Sequence, residues 1–188
     1  MADKAKPIIV GITGASGVIY GVRLLEVLKE LGRETHLIMS DAARLNLTIE
    51  TKYHPNQVEA LATKVYPVGD MAASVSSGSF ITEGMVIAPC TIKTLSAVAN
   101  SFNYNLIVRA ADVCLKERRR VVLMVRETPL HAGHLRLMSQ AVEIGATILP
   151  PIPAYYHGPQ GINDLIDQSV GKALDCFGIE HQLFRRWS

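Results

Sequence analysis

The sequence has few of the residues and patterns that mark metal-binding and disulfide-rich proteins. Its three cysteines, Cys90, Cys114 and Cys176, lie far apart and lack C-x-x-C spacing. An odd number of isolated cysteines predicts neither a disulfide framework nor a zinc site. Neither an H-E-x-x-H pattern nor an Asp-Asp-x-x-Asp cluster is present, so we expect no bound metal ion.

Long apolar runs and a strong charge of one sign are also missing. No apolar run approaches the roughly 18 residues of a membrane span, and residues 1–6 lack the apolar stretch of a secretory signal. We therefore expect a cytoplasmic protein in which residues 1–6 are flexible. The formal net charge is only +2, which gives no reason to expect a nucleic-acid partner. The one basic cluster, residues 116–120, is typical of a solvated helix end.

The chain has 188 residues, of which 48% are hydrophobic, enough for one domain with a full core over residues 1–188. Its pattern alternates between short apolar runs rich in β-branched residues and segments with helical periodicity. The short runs predict strands at residues 8–12, 35–39, 65–68, 85–88, 121–125 and 146–149. The periodic segments predict helices at residues 18–31, 41–50, 56–63, 92–99, 106–117, 135–145 and 162–177.

This alternation predicts an α/β fold of three layers, Rossmann-like, with a mostly parallel sheet and a flavodoxin-like strand order. Residues 71–83 are small, polar and rich in serine, which favours a loop, and residues 162–188 form a C-terminal helix and tail. Ligands of such sheets bind beyond the carboxyl ends of the strands. Side chains that follow predicted strands are therefore the candidates for a binding site.

The first of these positions is a glycine turn, in which glycine recurs at Gly11, Gly14 and Gly17 between a strand and a helix. Such a turn presents backbone N–H groups and a helix N-terminus to a phosphate. Ser16 stands where its hydroxyl would cap the helix or contact that phosphate. The spacing matches neither G-x-G-x-x-G nor a P-loop, and the turn is equally typical of a tight connection without a ligand.

Hydroxyl and charged side chains follow three further predicted strands. They are Ser40, Thr91 to Thr94, and Arg126 with Glu127. We expect all of them to lie with the glycine turn at one rim of the sheet, where the carboxyl ends of the strands meet. No acid stands at the strand end about 20 residues after the glycine turn, where dinucleotide folds bind the ribose. Ser40 takes that place, which favours a mononucleotide such as FMN over NAD. Helix caps and turns without any ligand are the alternative.

A second group consists of cations and a tyrosine, which together would suit a second phosphate or a carboxylate: Arg109, Lys116, Arg126, Tyr156 and Lys172. Taken singly, each is typical of a solvated surface side chain. Glu50 and Glu127 are candidate acids. Cys90 follows a predicted strand, but no paired histidine is evident, so a buried structural cysteine is favoured over a nucleophile.

Seven segments, in order along nearly the whole chain, resemble the UbiX/Pad family of flavin prenyltransferases. They are Thr13-Gly14-Ala15-Ser16-Gly17, Ser76-Ser77-Gly78-Ser79-Phe80, Pro89-Cys90-Thr91-Ile92-Lys93-Thr94, Arg109-Ala110-Ala111-Asp112, Leu115-Lys116-Glu117-Arg118, Arg126-Glu127-Thr128-Pro129-Leu130 and Pro150-Pro151-Ile152-Pro153-Ala154-Tyr155-Tyr156-His157. The resemblance implies a Rossmann-like flavoprotein, usually a dodecamer, that joins the dimethylallyl group of dimethylallyl monophosphate to reduced FMN. The product, prenylated FMN, would serve a UbiD-type decarboxylase.

The resemblance also implies roles for individual residues. FMN would bind Gly14, Ala15, Ser16, Ser40, Thr91, Ile92, Lys93, Thr94 and Arg126. The prenyl phosphate would bind Tyr156 and Lys172, with Arg109, Lys116 and Arg126 nearby and Trp187 beside the prenyl group. The implied catalytic set is Glu127, Ser16, Glu50 and Lys116. Many relatives have arginine in place of Lys172, and lysine keeps the charge but lacks the bidentate fork.

Two alternatives remain open. A flavin-dependent decarboxylase of a small or aromatic acid would need a histidine or cysteine near the flavin, for which Cys90, His131 and His134 are candidates. A non-enzymatic FMN carrier would need neither the cation group nor Glu127. The sequence leaves open the oligomer size, the number of phosphates on the donor and the pathway that receives the product, which ubiquinone synthesis and phenolic-acid decarboxylation would both fit.

Overall fold

The computed structural model describes residues 6–187, and within them strands and helices alternate as predicted. The strands are β1 (Ile8–Ile12), β2 (Thr35–Met39), β3 (Lys64–Tyr66), β4 (Gly84–Cys90), β5 (Arg120–Val125) and β6 (Thr147–Ile148). The helices are α1 (Ile19–Glu30), α2 (Asp41–Glu50), α3 (Pro55–Glu59), α4 (Ile92–Ala99), α5 (Leu106–Lys116), α6 (Ala132–Glu143) and α7 (Ile162–Phe177). Residues 1–5 of the segment predicted to be flexible lie outside the described residues.

Every residue of β1, β2 and β4 is buried, because helices cover both faces of a parallel sheet. One core packs α1, α2, α3 and α7 against the sheet and includes Leu25, Leu47 and Val170. The other packs α4, α5 and α6 against the opposite face and includes Leu95 and Ile107. The three layers predicted from the sequence are therefore confirmed.

All strand pairs are parallel, and the strand order is β3-β2-β1-β4-β5-β6. The five strands other than β3 follow the flavodoxin order, so that part of the prediction is confirmed. The three-residue edge strand β3 extends the series to the Rossmann order 3-2-1-4-5-6. The sequence predicted a strand there, but propensity alone does not specify which edge of the sheet a short strand joins.

The strand order fixes where a ligand can bind. After β3 the chain crosses back over the sheet to place β4 directly beside β1, where Val10 pairs with Val86. The carboxyl ends of β1 and β4 therefore flank the point at which the winding direction reverses, and the crevice there is the usual ligand site of such sheets. None of the helices described between residues 6 and 187 is both long and apolar enough to cross a membrane.

Candidate active site

A cleft of about 390 Å³ opens at this reversal point, which is within the size range of small-molecule sites. Residues from the loops after β1, β2, β3 and β4 line it. Five of the residues predicted to bind FMN are among them: Gly14, Ser40, Thr91, Lys93 and Thr94. Thr13, Asp41, Tyr104 and Asn105 also line the cleft. Asp41 stands directly beside Ser40, so an acid that the sequence argument set aside does reach the cleft.

Three helices begin at the cleft, each with a side-chain cap. The Ser40 hydroxyl accepts a hydrogen bond of 3.1 Å from the Ala43 N–H, and the Thr91 hydroxyl accepts one of 3.1 Å from the Thr94 N–H. The Asn105 side chain caps α5 in the same way. Converging helix N-termini supply partial positive charge and N–H donors, which together favour an anion such as phosphate. An asparagine directly before an apolar helical pattern is the signal by which Asn105 could have been found.

Buried hydrogen bonds hold the glycine turn in place. The Thr13 hydroxyl donates to the Pro89 carbonyl at 2.7 Å and accepts from the Thr91 N–H at 2.9 Å. It therefore joins the loop after β1 to the loop after β4. The Asn46 amide donates to the Gly14 carbonyl at 2.8 Å, and a Cβ at Gly14 would collide with Ala42. Sequence reasoning missed Thr13 and Asn46, whose partners are distant along the chain.

The N-terminus of α1 binds an anion from the protein itself. Glu50 accepts hydrogen bonds from the Gly17 N–H at 2.8 Å and the Val18 N–H at 3.3 Å. The suggestion that Ser16 caps α1 is wrong, because the N-cap residue is Val18 and no side chain at that position caps the helix. Ser16 lies two residues too early in the chain and is exposed. Its hydroxyl is thus available for a ligand.

The remaining residues predicted to bind FMN do not line this cleft. Ala15 is buried beneath the turn, and Ile92 packs partly against the core. Arg126 is exposed at the end of β5, where its N–H donates to the Cys90 carbonyl at 3.1 Å. Burial raises the pKa of the Tyr20 hydroxyl, and the charge of Arg126 opposes that rise. Glu127 is also exposed, and its carboxylate accepts from the Thr128 N–H.

Arg109 and Lys116 are not among the residues that line the cleft. Both are on α5, which begins at the cleft and extends about 16 Å toward the amino ends of the strands. Arg109 donates to the Ser76 carbonyl at 3.1 Å, and Lys116 pairs with Glu117 at 2.5 Å beside Gly78. These cations therefore flank the serine-rich loop, residues 71–83.

The basic cluster at residues 116–120 is not simply a solvated helix end. Arg119 donates to the Gly78 carbonyl at 2.6 Å and to the Phe80 carbonyl at 2.7 Å. Its guanidinium thereby fixes the serine-rich loop, because these two carbonyls follow one another closely in that loop. The interpretation as a solvated face fails for Arg119, whereas Arg118 and Arg120 are exposed.

Tyr156 and Trp187 contact one another, and Lys172 is linked to this pair through Asp175 and Arg186. The rings of Tyr156 and Trp187 meet edge to face, with centroids 6.1 Å apart. Lys172 contacts Asp175 at 3.3 Å, and Asp175 also binds Arg186 at 2.6 Å. Burial alone would raise the pKa of Asp175, but hydrogen bonds from Arg186, Lys172 and His181 outweigh it and hold the pKa below its ordinary value.

The candidates for a decarboxylase mechanism do not form a reactive pair. Cys90 is completely buried, and this burial raises the pKa of its thiol far above the ordinary value. His131 and His134 contact one another, with ring centroids 3.6 Å apart, and His131 caps α6. The interpretation of Cys90 as a buried structural residue is confirmed. Among residues 6–187, no group of three or more His, Cys, Asp or Glu side chains could hold a metal ion.

Comparison with known proteins gives consistent matches over almost the whole chain. A family model described as Flavoprotein matches residues 1–173. The flavin prenyltransferase UbiX of Thauera aromatica is 59% identical over 181 residues, which cover 96% of this chain and 93% of that protein. The flavin prenyltransferase UbiX of Escherichia coli K12 is 59% identical over 185 residues, which cover 97% and 98%.

Two solved structures have closely similar folds. The crystal structure of AnUbiX (PadA1) in complex with FMN and dimethylallyl pyrophosphate has a TM-score of 0.97 and 50% identity, covering 98% of each chain. A dodecameric FMN-dependent UbiX-like decarboxylase from Escherichia coli O157:H7 has a TM-score of 0.95 and 44% identity, covering 97% of this chain and 99% of that one.

Proposed function

Because this chain belongs to the UbiX family of flavin prenyltransferases, we propose that it transfers a dimethylallyl group from dimethylallyl monophosphate to reduced FMN. The single observation that carries the proposal is the cleft at the sheet reversal, where three capped helix N-termini meet a locked glycine turn. That set of neutral N–H and hydroxyl donors suits one phosphate and the polar edge of a flat ring. We propose a single flavoprotein domain over residues 1–188.

The cleft residues Gly14, Ser40, Thr91, Lys93 and Thr94 would hold FMN, with Ala15, Ser16, Ile92 and Arg126 at its margins. Bound there, reduced FMN supplies the nucleophilic ring that accepts the prenyl group. The protein's own contribution is to orient the ring and keep water from the allylic carbon. The exposed hydroxyl of Ser16 and the exposed carboxyl of Glu127 would move protons at this rim. Glu50, at the start of α1, is the further acid.

Breaking the allylic C–O bond leaves negative charge on phosphate, and cations would stabilise it. Lys172 and Arg126 would supply these cations, and Tyr156 would bind the same phosphate. Trp187 would offer a π face to the developing allyl cation. Glu127 would protonate the departing phosphate. A monophosphate leaving group needs no magnesium clamp, consistent with the absence of an Asp-Asp-x-x-Asp cluster from the sequence. Diphosphate is the other form to test.

Arg109 and Lys116 complete the site only if another subunit brings them to the cleft. In one chain their side chains contact the serine-rich loop. We therefore propose that the protein forms a homo-oligomer, specifically a dodecamer, in which residues of neighbouring subunits form the prenyl phosphate site. The dodecameric state of the similar Escherichia coli O157:H7 protein supports this. The product would pass to a UbiD-type decarboxylase in the cytoplasm.

Anaerobic incubation with reduced FMN and dimethylallyl monophosphate tests the proposal. Mass spectrometry of the extracted flavin should show a mass increase of one prenyl unit. Unmodified flavin on folded, FMN-bound protein would contradict it. A parallel incubation with dimethylallyl diphosphate decides between the donors. Release of carbon dioxide from an aromatic acid by this protein alone would instead favour the decarboxylase.

A further inference from the structure

Asp175 gathers several basic side chains on one carboxylate. Lys172 contacts its Oδ2 at 3.3 Å, and the Arg186 guanidinium binds both oxygens, at 2.6 and 3.2 Å. His181, almost fully buried, donates from Nε2 to Oδ1 at 3.1 Å. Its Nδ1 accepts from the Leu183 N–H, which identifies the neutral tautomer. Two permanent cations therefore share a single carboxylate, and the cluster keeps a surplus of positive charge.

The Arg186 guanidinium is held in place by more than its ion pair. Its Cζ lies 5.4 Å from the centre of the Phe184 ring, and the next residue, Trp187, contacts Tyr156. Arg186 thus shares Asp175 with Lys172 and directly precedes Trp187, and Lys172, Tyr156 and Trp187 all belong to the proposed prenyl phosphate site. More than half of its side chain remains exposed, so a ligand can reach it.

We propose that Arg186 is an additional phosphate-binding residue, which supplies the planar bidentate fork that Lys172 lacks. The inference rests on the proposed function and names the group that compensates for lysine at position 172. A guanidinium matches two oxygens of a phosphate, whereas an ammonium acts as a point charge. Asp175 holds both terminal nitrogens of Arg186 before the donor binds. The fork therefore binds phosphate when this pairing is exchanged, and the surplus positive charge of the cluster favours that exchange.

The experiment measures the dissociation constant of dimethylallyl monophosphate from the FMN-loaded oligomer by titration calorimetry. Arg186→Gln should raise that constant about 10- to 100-fold, the loss expected for hydrogen bonds to a charged group. Arg185→Gln is the matched control, because it removes the same charge from the adjacent exposed residue and should leave the constant unchanged. Equal effects of the two variants would overturn the proposal.

Arg186→Lys separates the fork from the charge alone. It keeps the positive charge and can still pair with Asp175, so the fork hypothesis predicts that affinity stays well below that of the natural protein. Adding Lys172→Arg to Arg186→Lys should restore affinity, because the fork returns at the neighbouring position. Full affinity in Arg186→Lys alone, or no recovery in the double variant, would contradict the proposal. Absence of prenylated flavin from the natural protein would refute the proposed function itself, independently of these constants.

Discussion

The cleft at the carboxyl edge of the sheet and the cations predicted to bind the donor differ in how firmly the chain holds their functional groups. Apart from Asp41 and Lys93, the cleft is lined by uncharged groups, and buried or partly buried internal hydrogen bonds fix the turns that carry them. The cations are partly or largely exposed, and most are already engaged by a carboxylate or a backbone carbonyl. One region is preorganised within the chain, whereas the other becomes a site only when its present partners are exchanged for phosphate.

This difference has a functional consequence. A rigid cleft lined mostly by uncharged groups can hold the flavin in one orientation, while exposed cations can capture a charged donor and release a charged product. If the proposed oligomer brings Arg109 and Lys116 to the cleft of a neighbouring subunit, donor binding would also depend on assembly. Changes in the cleft should therefore affect flavin binding and stability, and changes among the cations should affect the donor.

The largest expected effect is that of Glu127→Gln, which keeps the size of the side chain and removes its proton chemistry. We expect prenyl transfer to slow by about 10²- to 10⁴-fold with FMN still bound, because Glu127 is exposed and bonds only locally among the described contacts. Single-turnover mass spectrometry and flavin absorbance give the two quantities. Glu143→Gln, at the far end of α6, is the control. Loss of FMN would instead make Glu127 structural.

Thr13→Val is expected to have the next largest effect, and it changes the preorganised cleft. The buried hydroxyl satisfies the Thr91 N–H and joins the two turns, so its removal leaves that N–H without its partner. We expect a loss of about 1–3 kcal/mol in the free energy of unfolding, together with weaker FMN binding. Denaturant titration measures the first and flavin fluorescence the second. Thr13→Ser keeps the hydroxyl and should retain both properties, so equal losses in the two variants would contradict the assignment of the effect to the hydroxyl.

Local patterns in the sequence were enough to predict the strands and helix starts that form much of the preorganised cleft. The apolar runs predicted β1 and β2 with the observed bounds, and hydroxyls before helical patterns located Ser40 and Thr91 at helix starts. The interactions that lock the cleft join residues far apart in sequence. Thr13 and Thr91 are 78 positions apart, and no local periodicity identifies such a pair.

The donor site was less predictable for a different reason. The resemblance named Tyr156, Lys172 and Trp187, which the structure places near one another, but it did not name Asp175 or Arg186. Those two meet because the tail after Gly178 turns back along α7, as the Asp175–Arg186 ion pair shows. Arg109 and Lys116 contact the serine-rich loop through residues more than 30 positions away, such as Ser76, and no local pattern of the sequence encodes such a pair.

Glu50→Gln should have a smaller effect, which tests whether Glu50 belongs with the rigid cleft. Its carboxylate accepts from two N–H groups at the start of α1, so glutamine keeps an acceptor but loses the charge that favours the helix N-terminus. We expect about 0.3–1 kcal/mol less stability, and Glu50→Ala should cost about 1 kcal/mol. Thermal unfolding compares the two. A fall in prenyl transfer in Glu50→Gln at temperatures where it is fully folded would add a role in proton transfer.

The smallest expected effect concerns the tail. The pKa of Asp175 is lowered in the folded protein, because hydrogen bonds from Arg186, Lys172 and His181 outweigh its burial. Its contribution to stability is therefore present at pH values above its unfolded-state pKa and is lost as the pH falls through the lowered folded-state pKa. Asp175→Asn should cost less than about 1 kcal/mol in the free energy of unfolding at pH 7, and denaturant titrations at pH 7 and in acid measure this loss. The difference between Asp175→Asn and the natural protein should shrink in acid. A larger loss at pH 7 would mean that the ion pairs hold the tail firmly, and the donor region would then be as preorganised as the cleft.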